Sequence, residues 1–317
     1  MQISAIVPTF NRADTLRSCI ESLLHQTLDP QFYEIVIVDN NSNDTTRDTV
    51  QAYLGQGHNV RYVFEPRQGL HFARHAGAKA AKAEIVAYTD DDAIVDSRWL
   101  EELVKAYKYH DIGCAGGKIT VQWDMKPPDW LLPYECYYGN IDYGTRCRVL
   151  SPHEHVFGAN ISLRREALFE VGGFHPDFIG SQRVGSGEIG LCVELHKRGI
   201  KIAWVPTAQV RHLQTVNLNG NLKYLKKHFA NQGVVGAHLQ LLNEVPSRYR
   251  FAARSLVALA RYCEYKALAT FFKVKDCHVK LDHELKSSYF LSRSNYELQL
   301  AYNKNVRALA LSSNRIE

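Results

Sequence analysis

Along the first 110 residues, apolar positions alternate between two spacings. Residues 3–8, 34–39, 60–64 and 84–89 are short apolar runs with polar or proline ends, the pattern of strands buried on both faces. Between them, Leu16, Cys19, Ile20, Leu23 and Leu24 recur at helical spacing within 14–26. The polar turn Asn40-Asn41-Ser42-Asn43-Asp44 leads into a helix reaching about residue 54, and Gly69 opens an alanine-rich helix over 72–82. A further helix is expected over 99–109. Strands alternating with helices imply a parallel, doubly wound α/β sheet, and such sheets bind ligands beyond the carboxyl ends of their strands. Polar residues stand at those ends: Thr9, Asn11 and Arg12 after the first run, Asp39 closing the second, and Asp90, Asp91 and Asp92 after the fourth.

From 118 to about 187 the pattern becomes irregular and aromatic, with Trp123, Trp130, Tyr134, Tyr137, Tyr138 and Tyr143 between the breakers Pro127, Pro128 and Gly139. From 221 onward it reads as helical, with a break at Pro246. A chain of 317 residues, 45% hydrophobic, suits one catalytic domain with an extension. No run of about 18 apolar residues occurs, so no spanning helix is expected. The opening residues lack a basic segment and a long apolar one, so no secretory leader is expected. Seven cysteines are scattered without a Cys-x-x-Cys pair, which fits free thiols in a reducing cytoplasm better than zinc or disulfides.

Charge changes the picture at the carboxyl end. The net charge is +5, yet residues 213–317 hold 16 Lys and Arg against 7 Asp and Glu, leaving −4 on residues 1–212. A basic tail that includes Lys223, Lys226, Lys227, Arg254, Arg261 and Lys266 suits an anionic partner surface, either nucleic acid or the inner leaflet of a membrane, and equally a plain solvated helical face. No nucleic-acid motif accompanies it, so no nucleic-acid partner is expected.

The aspartate trio carries the sharpest chemistry. Adjacent carboxylates repel, so a fold rarely gathers them without a cation. If they continue the strand, Asp90 and Asp92 share one side, and two hard oxygen ligands suit Mg²⁺ or Mn²⁺ bridging to phosphate. The plain alternative is a solvated acidic turn. Trp130, beside Pro127-Pro128, could present an indole face from a loop, whereas most of the neighbouring rings read as core. His71 and His75, four apart, lack an evident third metal ligand and read as polar lining.

In order, Pro8-Thr9-Phe10-Asn11-Arg12, Val38-Asp39-Asn40-Asn41-Ser42, Gly69 to Gly77 and Asp90-Asp91-Asp92 resemble a family 2 glycosyltransferase with the GT-A fold. The stretch from Gly158-Ala159-Asn160 to Gly172-Gly173-Phe174 resembles that family's acceptor-side segment, and Gly199 to His212 the stretch that closes its catalytic domain. The resemblance implies a mixed, doubly wound sheet, a catalytic domain over 1–235 (a nucleotide-sugar half to 115 and an acceptor-side half from 116), and a helical, basic extension over 236–317. It further implies that Pro8, Thr9, Phe10, Asn11, Arg12, Asp39, Asn41, Gly69, Arg74, Asp90 and Asp91 hold a nucleotide sugar, that of UDP being the first expectation. Asp92, Asp90 and His212 would hold Mn²⁺ or Mg²⁺, and Asn160 with Trp130 would face the acceptor, a glycan or lipid-linked glycan. The family usually supplies its base from an acidic pair; in Gly185-Ser186-Gly187-Glu188 only Glu188 remains, and it is the expected general base. The implied activity is inverting transfer of a sugar to a hydroxyl, as in bacterial polysaccharide or lipid-linked glycan assembly, by a cytoplasmic protein that can lie against the inner face of the membrane.

Three other readings compete. A dinucleotide-binding dehydrogenase would need Gly-x-Gly-x-x-Gly after the first strand, where Pro8–Arg12 has no glycine. A sugar-phosphate nucleotidyltransferase would need a glycine-rich loop at the same place. A catalytically weak nucleotide- or glycan-binding protein of the same fold would explain the reduced acidic pair but not the intact aspartate trio.

Overall fold

The computed structural model describes residues 1–317 apart from 56–58, 110, 177, 180–181, 184–186, 244–245, 272–276 and 312–317. Gly185 and Ser186, quoted in the glycine-rich segment before Glu188, lie outside the described residues.

In chain order the elements are β1 (Ile3–Thr9), α1 (Ala13–Leu24), β2 (Tyr33–Asp39), α2 (Thr46–Gln51), β3 (Val60–Phe64), α3 (Leu70–Ala80), β4 (Ile85–Tyr88), β5 (Ala93–Val95), α4 (Trp99–Tyr109) and β6 (Cys114–Trp123). A 3-10 helix (Asp129–Tyr138) follows, then β7 (Arg148–Val149), β8 (Ile161–Arg164), α5 (Arg165–Glu170), β9 (Phe178–Ile179), β10 (Gln182–Arg183), α6 (Gly187–Lys197) and β11 (Ile202–Gln214). The chain then becomes helical: α7 (Val216–Asn219), α8 (Leu222–Asn243), α9 (Arg248–Phe271), α10 (Cys277–Tyr302) and α11 (Lys304–Leu311).

β1 and β2 are buried at every position, which is why their sequences read as unbroken apolar runs. The large sheet has the order β3-β2-β1-β4-β8-β6-β11-β5, with β7 on β11. The four amino-terminal strands pair in parallel, as the β–α alternation demands. Beyond β4 the sheet turns mixed, as the family resemblance implied: β8 runs antiparallel to both β4 and β6, and β5 antiparallel to β11. Short or interrupted strands such as β5 and β8 lack the continuous apolar signal that distinguishes a strand in sequence.

Two clusters of buried side chains cover the two faces of the sheet. One is built on Leu16, Ile20, Leu23, Trp99 and Leu103, the other on Val36, Val38, Tyr88, Phe174 and Leu191. A third lies among α8, α9, α10 and α11, around Leu241, Phe251, Tyr296 and Leu300. A fourth joins the helices to the sheet part: Leu131 and Tyr138 of the 3-10 helix pack with Leu225 and Phe229 of α8 and with Leu281 and Leu285 of α10. The expected domain end at residue 235 falls inside the unbroken helix α8. Among the described residues, no helix is long and apolar enough to cross a membrane.

Candidate active site

The aspartate trio does not continue a strand. β4 stops at Tyr88 and the trio forms the turn into β5, with the Ala93 N–H donating to the Asp90 carbonyl at 3.2 Å. The turn sends its carboxylates two ways. Asp91 is buried on the α1 side, 3.5 Å from the Arg12 guanidinium, which also pairs with Asp92. Asp90 and Asp92 face His212, and one ligand atom from each of the three lies within 4.8 Å of the others. Register explains the histidine: β11 runs antiparallel to β5 with His212 opposite Ala93, and the Leu213 N–H donates to the Asp92 carbonyl at 2.8 Å. His212 Nε2 stands 3.1 Å from Asp92 Oδ1, while Nδ1 is 3.0 Å from the Tyr138 carbonyl.

The electrostatics are those of crowded anions. Burial pushes the Asp91 carboxyl up to about 7 against the pull of Arg12. Burial also raises Asp90, opposed by Arg74. Asp92 is lowered: burial opposes this, but the hydrogen bond and charge of His212, then Arg12, outweigh it. His212 rises to about 9, the Asp92 contact overcoming burial. Two carboxylates with an imidazole at bonding distance form a donor set that fits a hard divalent cation.

The residues expected at the nucleotide gather along the carboxyl ends of β1, β2 and β3. The turn after β1 and the turn after β2 are tied together: Asn40 N–H donates to the Thr9 carbonyl, Asn11 N–H to Ser42 Oγ at 3.0 Å, and Asn43 N–H to Asn11 Oδ1 at 2.8 Å. Asn11 and Asn41 hold positive φ, 53° and 66°, a conformation asparagine tolerates better than most residues. Pro8 and Thr9 end β1, and Phe10 is 44% exposed on the rim. Asp39 is buried and accepts from Ser42 N–H at 2.9 Å and from the Tyr62 hydroxyl at 2.7 Å; burial and this bond push the Tyr62 phenol up to about 12. Gly69 has φ +142° and donates its N–H to Asn40 Oδ1 at 2.7 Å. Asn40, which the sequence reading did not single out, thereby pins the loop between β3 and α3.

Arg74 is buried on α3 and joins the two sides of the site. Its guanidinium lies 3.3 Å from Glu188 and 3.8 Å from Asp90, over the ring of Phe174. Glu188 sits in the first turn of α6, where a negative charge suits the helix dipole. With Asp90 and His212 it lines a cleft of about 760 Å³. The far walls are Tyr137, Tyr138, His155 and Phe157, and from α8 Tyr224, Lys227, His228 and Asn231. Tyr138 and Tyr224 stack at 5.5 Å, and Tyr137 meets His228 at 5.6 Å. Tyr137 and Tyr138 belong to the aromatic run expected to be mostly core; they pack in the cluster under α8 and also border the cleft, since whether a core ring reaches a cleft depends on which helix packs over it.

Two expected acceptor residues are elsewhere. Asn160 is 1% exposed, and its amide is fully used: Oδ1 accepts from the Trp99 indole at 2.9 Å, and Nδ2 donates to the carbonyls of Lys118 and Ala208 at 3.2 and 2.8 Å. It fastens strands together and offers nothing to a ligand. Trp130 packs in the cluster between the 3-10 helix, α8 and α10 and does not line the cleft. His71 and His75 do not line it either; both are buried, and His75 Nε2 accepts from the Phe174 N–H at 2.8 Å.

Comparison with known proteins agrees with this layout. Residues 4–172 match the family model described as "Glycosyl transferase family 2". A glucosyl-dolichyl phosphate glucuronosyltransferase of Haloferax volcanii is 28% identical over 223 residues, 67% of this chain and 69% of that protein. A validoxylamine A glucosyltransferase of Streptomyces hygroscopicus subsp. limoneus is 27% identical over 62% of this chain, which spans only 48% of that protein. Among solved structures, the mannosyltransferase PcManGT of Pyrobaculum calidifontis, in complex with GDP-Man and Mn2+, aligns over 96% of this chain and 88% of its own with a TM-score of 0.60 and 18% identity. S. aureus TarS 1-349 in complex with UDP-GlcNAc aligns over 94% and 91% with a TM-score of 0.59 and 14% identity. At these identities the structural likeness speaks to the fold, which is GT-A.

Proposed function

The chain belongs to glycosyl transferase family 2, and from that premise we propose that it transfers a sugar, with inversion, from a nucleoside-diphosphate sugar to a hydroxyl of a glycan or lipid-linked glycan bound in the cleft. The observation that carries this reading is the convergence of Asp90, His212 and Glu188, from three separate parts of the chain, on the lining of that cleft, with Asp92 grouped beside Asp90 and His212.

The roles follow from position. The linked turns after β1 and β2, with Asp39, Asn41 and Gly69, hold base and ribose of the donor, a UDP-sugar being the first to test. Arg12 and Asp91 brace the turn that carries Asp90 and Asp92. Mn²⁺ or Mg²⁺ held by Asp90, Asp92 and His212 would neutralise the diphosphate. Glu188, oriented by Arg74, takes the proton from the acceptor hydroxyl as its oxygen bonds to the anomeric carbon and the bond to the diphosphate breaks. The tyrosines from the 3-10 helix and α8 form a wall against which the C–H faces of acceptor sugars pack. On this reading the helical extension starts at Leu222 instead of residue 236, because a continuous helix is one packing unit. A lipid-linked acceptor would bring the protein to a bilayer surface, and the charge of residues 213–317 suits an anionic one.

The test is release of free nucleoside diphosphate from a panel of nucleotide sugars with Mn²⁺, in wild type and Glu188→Gln. The variant is expected to bind donor as wild type does and to lose transfer by about 10²- to 10⁴-fold. Full transfer by Glu188→Gln removes that residue from the mechanism. Donor binding without any turnover in wild type would instead select the binding-protein reading, which the single acid at Glu188 favours.

A further inference from the structure

The helix α9 has two faces of opposite fate. Phe251, Ser255, Ala258, Tyr262, Tyr265 and Ala269 recur at three- and four-residue steps and turn inward; Phe251, Ser255, Ala258 and Ala269 are buried. The Ser255 hydroxyl donates to the Ser294 carbonyl at 2.9 Å, and Tyr265 stacks on Phe290 at 5.6 Å, so this face is spent on α10. At about 100° per residue, Tyr249, Ala253, Leu256, Val257, Ala260, Cys263 and Ala267 fall on the opposite side, centred about 180° away. All seven are exposed: Tyr249 to 70%, Leu256 to 68% and Val257 to 64%. Leu256 and Val257, open to this extent beside the exposed Tyr249, Ala253 and Ala260, are covered by no other described part of the chain.

Charge identifies the occupant. On the same wheel, Arg250, Arg254 and Arg261 fall along one edge of the apolar stripe, and Arg248 and Lys266 along the other. The single acid of α9, Glu264, falls on the exposed face itself, ends the apolar stripe after Ala260, and is paired with Arg261 at 2.8 Å. A second copy of this helix would bring cation against cation along both edges. An anionic bilayer would instead receive the apolar stripe between its acyl chains while the long basic side chains reach back to the phosphates, with Tyr249 at the level of the headgroups.

We propose that α9 lies in the plane of an anionic membrane surface, its stripe from Tyr249 to Ala260 inserted and its two basic edges on the headgroups. The proposal deepens the reading of the extension as membrane-facing and does not depend on glycosyl transfer. The bilayer contact is thereby made by α9, while α8, the helix just before it in the chain, walls the cleft.

The experiment is flotation of the full chain with vesicles of phosphatidylcholine mixed with phosphatidylglycerol, and with vesicles of phosphatidylcholine alone. Wild type is expected to float with the mixed vesicles, less with the neutral ones, and less as salt is raised. Leu256→Asp with Val257→Asp is expected to weaken binding by at least about tenfold, since two inserted aliphatic side chains are lost. Both sites are exposed, so the thermal midpoint and the binding of nucleoside diphosphate should stay at wild-type values, which separates this result from misfolding and from failure of the donor site. Arg250→Glu with Arg261→Glu tests the charge independently and should remove the preference for phosphatidylglycerol. Equal flotation by the aspartate variant, absence of flotation by wild type, or a dimer in solution that the aspartate variant dissociates would each overturn the proposal, the last by assigning the stripe to a second copy.

Discussion

Asp92 shows how a single side chain can be answered from several directions. Arg12 reaches it from the start of α1 and His212 from the neighbouring strand β11, so its negative charge is matched twice by protein cations. A divalent ion that used Asp90, Asp92 and His212 would compete with those partners, and its affinity should depend on the diphosphate that completes its coordination. Thermal denaturation with nucleoside diphosphate is therefore expected to show a shift that requires Mn²⁺. At a hundredfold excess over the dissociation constant the stabilisation amounts to about 2.7 kcal/mol, a rise of several degrees. In Asp92→Ala the metal-dependent part of that rise should vanish; a rise of the same size in the variant would take Asp92 out of the metal site. Asn160 is the contrasting residue. Its type and its place in the acceptor-like segment suggested ligand contact, but three bonds to Trp99, Lys118 and Ala208 consume the amide, and nothing in the local sequence distinguishes an asparagine that binds substrate from one that binds backbone.

The element that repays scrutiny is the irregularity in β11. Its parallel register with β6 shifts between Val205 and Val210, leaving the Ala208 carbonyl turned toward β6, where Asn160 donates to it. Gly117 lies beneath this bulge. A methyl group there would meet the Ala208 carbonyl oxygen and come within 2.6 Å of the Val205 carbonyl oxygen, and backbone cannot step aside as a flexible side chain can. Gly117→Ala is expected to lower stability by about 1–3 kcal/mol, read as an earlier midpoint in urea. Because the same strand carries His212 to Asp92, the variant should also weaken the Mn²⁺-dependent thermal shift. An unchanged midpoint would mean that β11 can re-register without cost. Bulges recur where a strand must re-aim a side chain, and this one stands four residues before the histidine.

Across the whole molecule, buried histidines and a buried aspartate make stability depend on pH in opposite senses. His75 in the sheet part and His238 in the helical part are held neutral by burial, at about 3 and about 4 against an ordinary 6.5. For such groups the unfolded chain binds the proton first as pH falls, so their contribution to stability is present above about 6.5 and is lost between there and the folded values. Asp91, raised to about 7 by burial, has the opposite sign: the folded state binds its proton first, which favours folding as pH falls below 7. The histidine term is thus best read as a difference. Relative to His238→Asn, wild type is expected to lose up to about 1.4 kcal/mol per pH unit between pH 6 and 4. Parallel stability profiles of the two proteins would show that His238 is not held neutral in the fold.

The sequence by itself determined the half of the fold that rests on local repetition. Buried parallel strands read as apolar runs, α1 and α4 as helical stripes, and the carboxyl ends of β1, β2 and β4 as the places where Asn11, Asp39 and the aspartates gather. Those signals are legible because strand and helix periods act over a few neighbouring residues. The family resemblance added Arg74, Glu188 and His212 as residues to watch. What tertiary structure decided was every pairing across long separations: that the aspartate trio is a turn whose members diverge, that His212 stands against Asp92, that Arg74 spans Asp90 and Glu188, and that Tyr138 and Tyr224 wall a cleft while Trp130 and Asn160 are withdrawn from it. Such pairings depend on strand order, on a register shift in β11 and on which helix covers which ring. A composition or period along the chain carries no record of them, since each is fixed by the packing of segments that lie tens of residues apart.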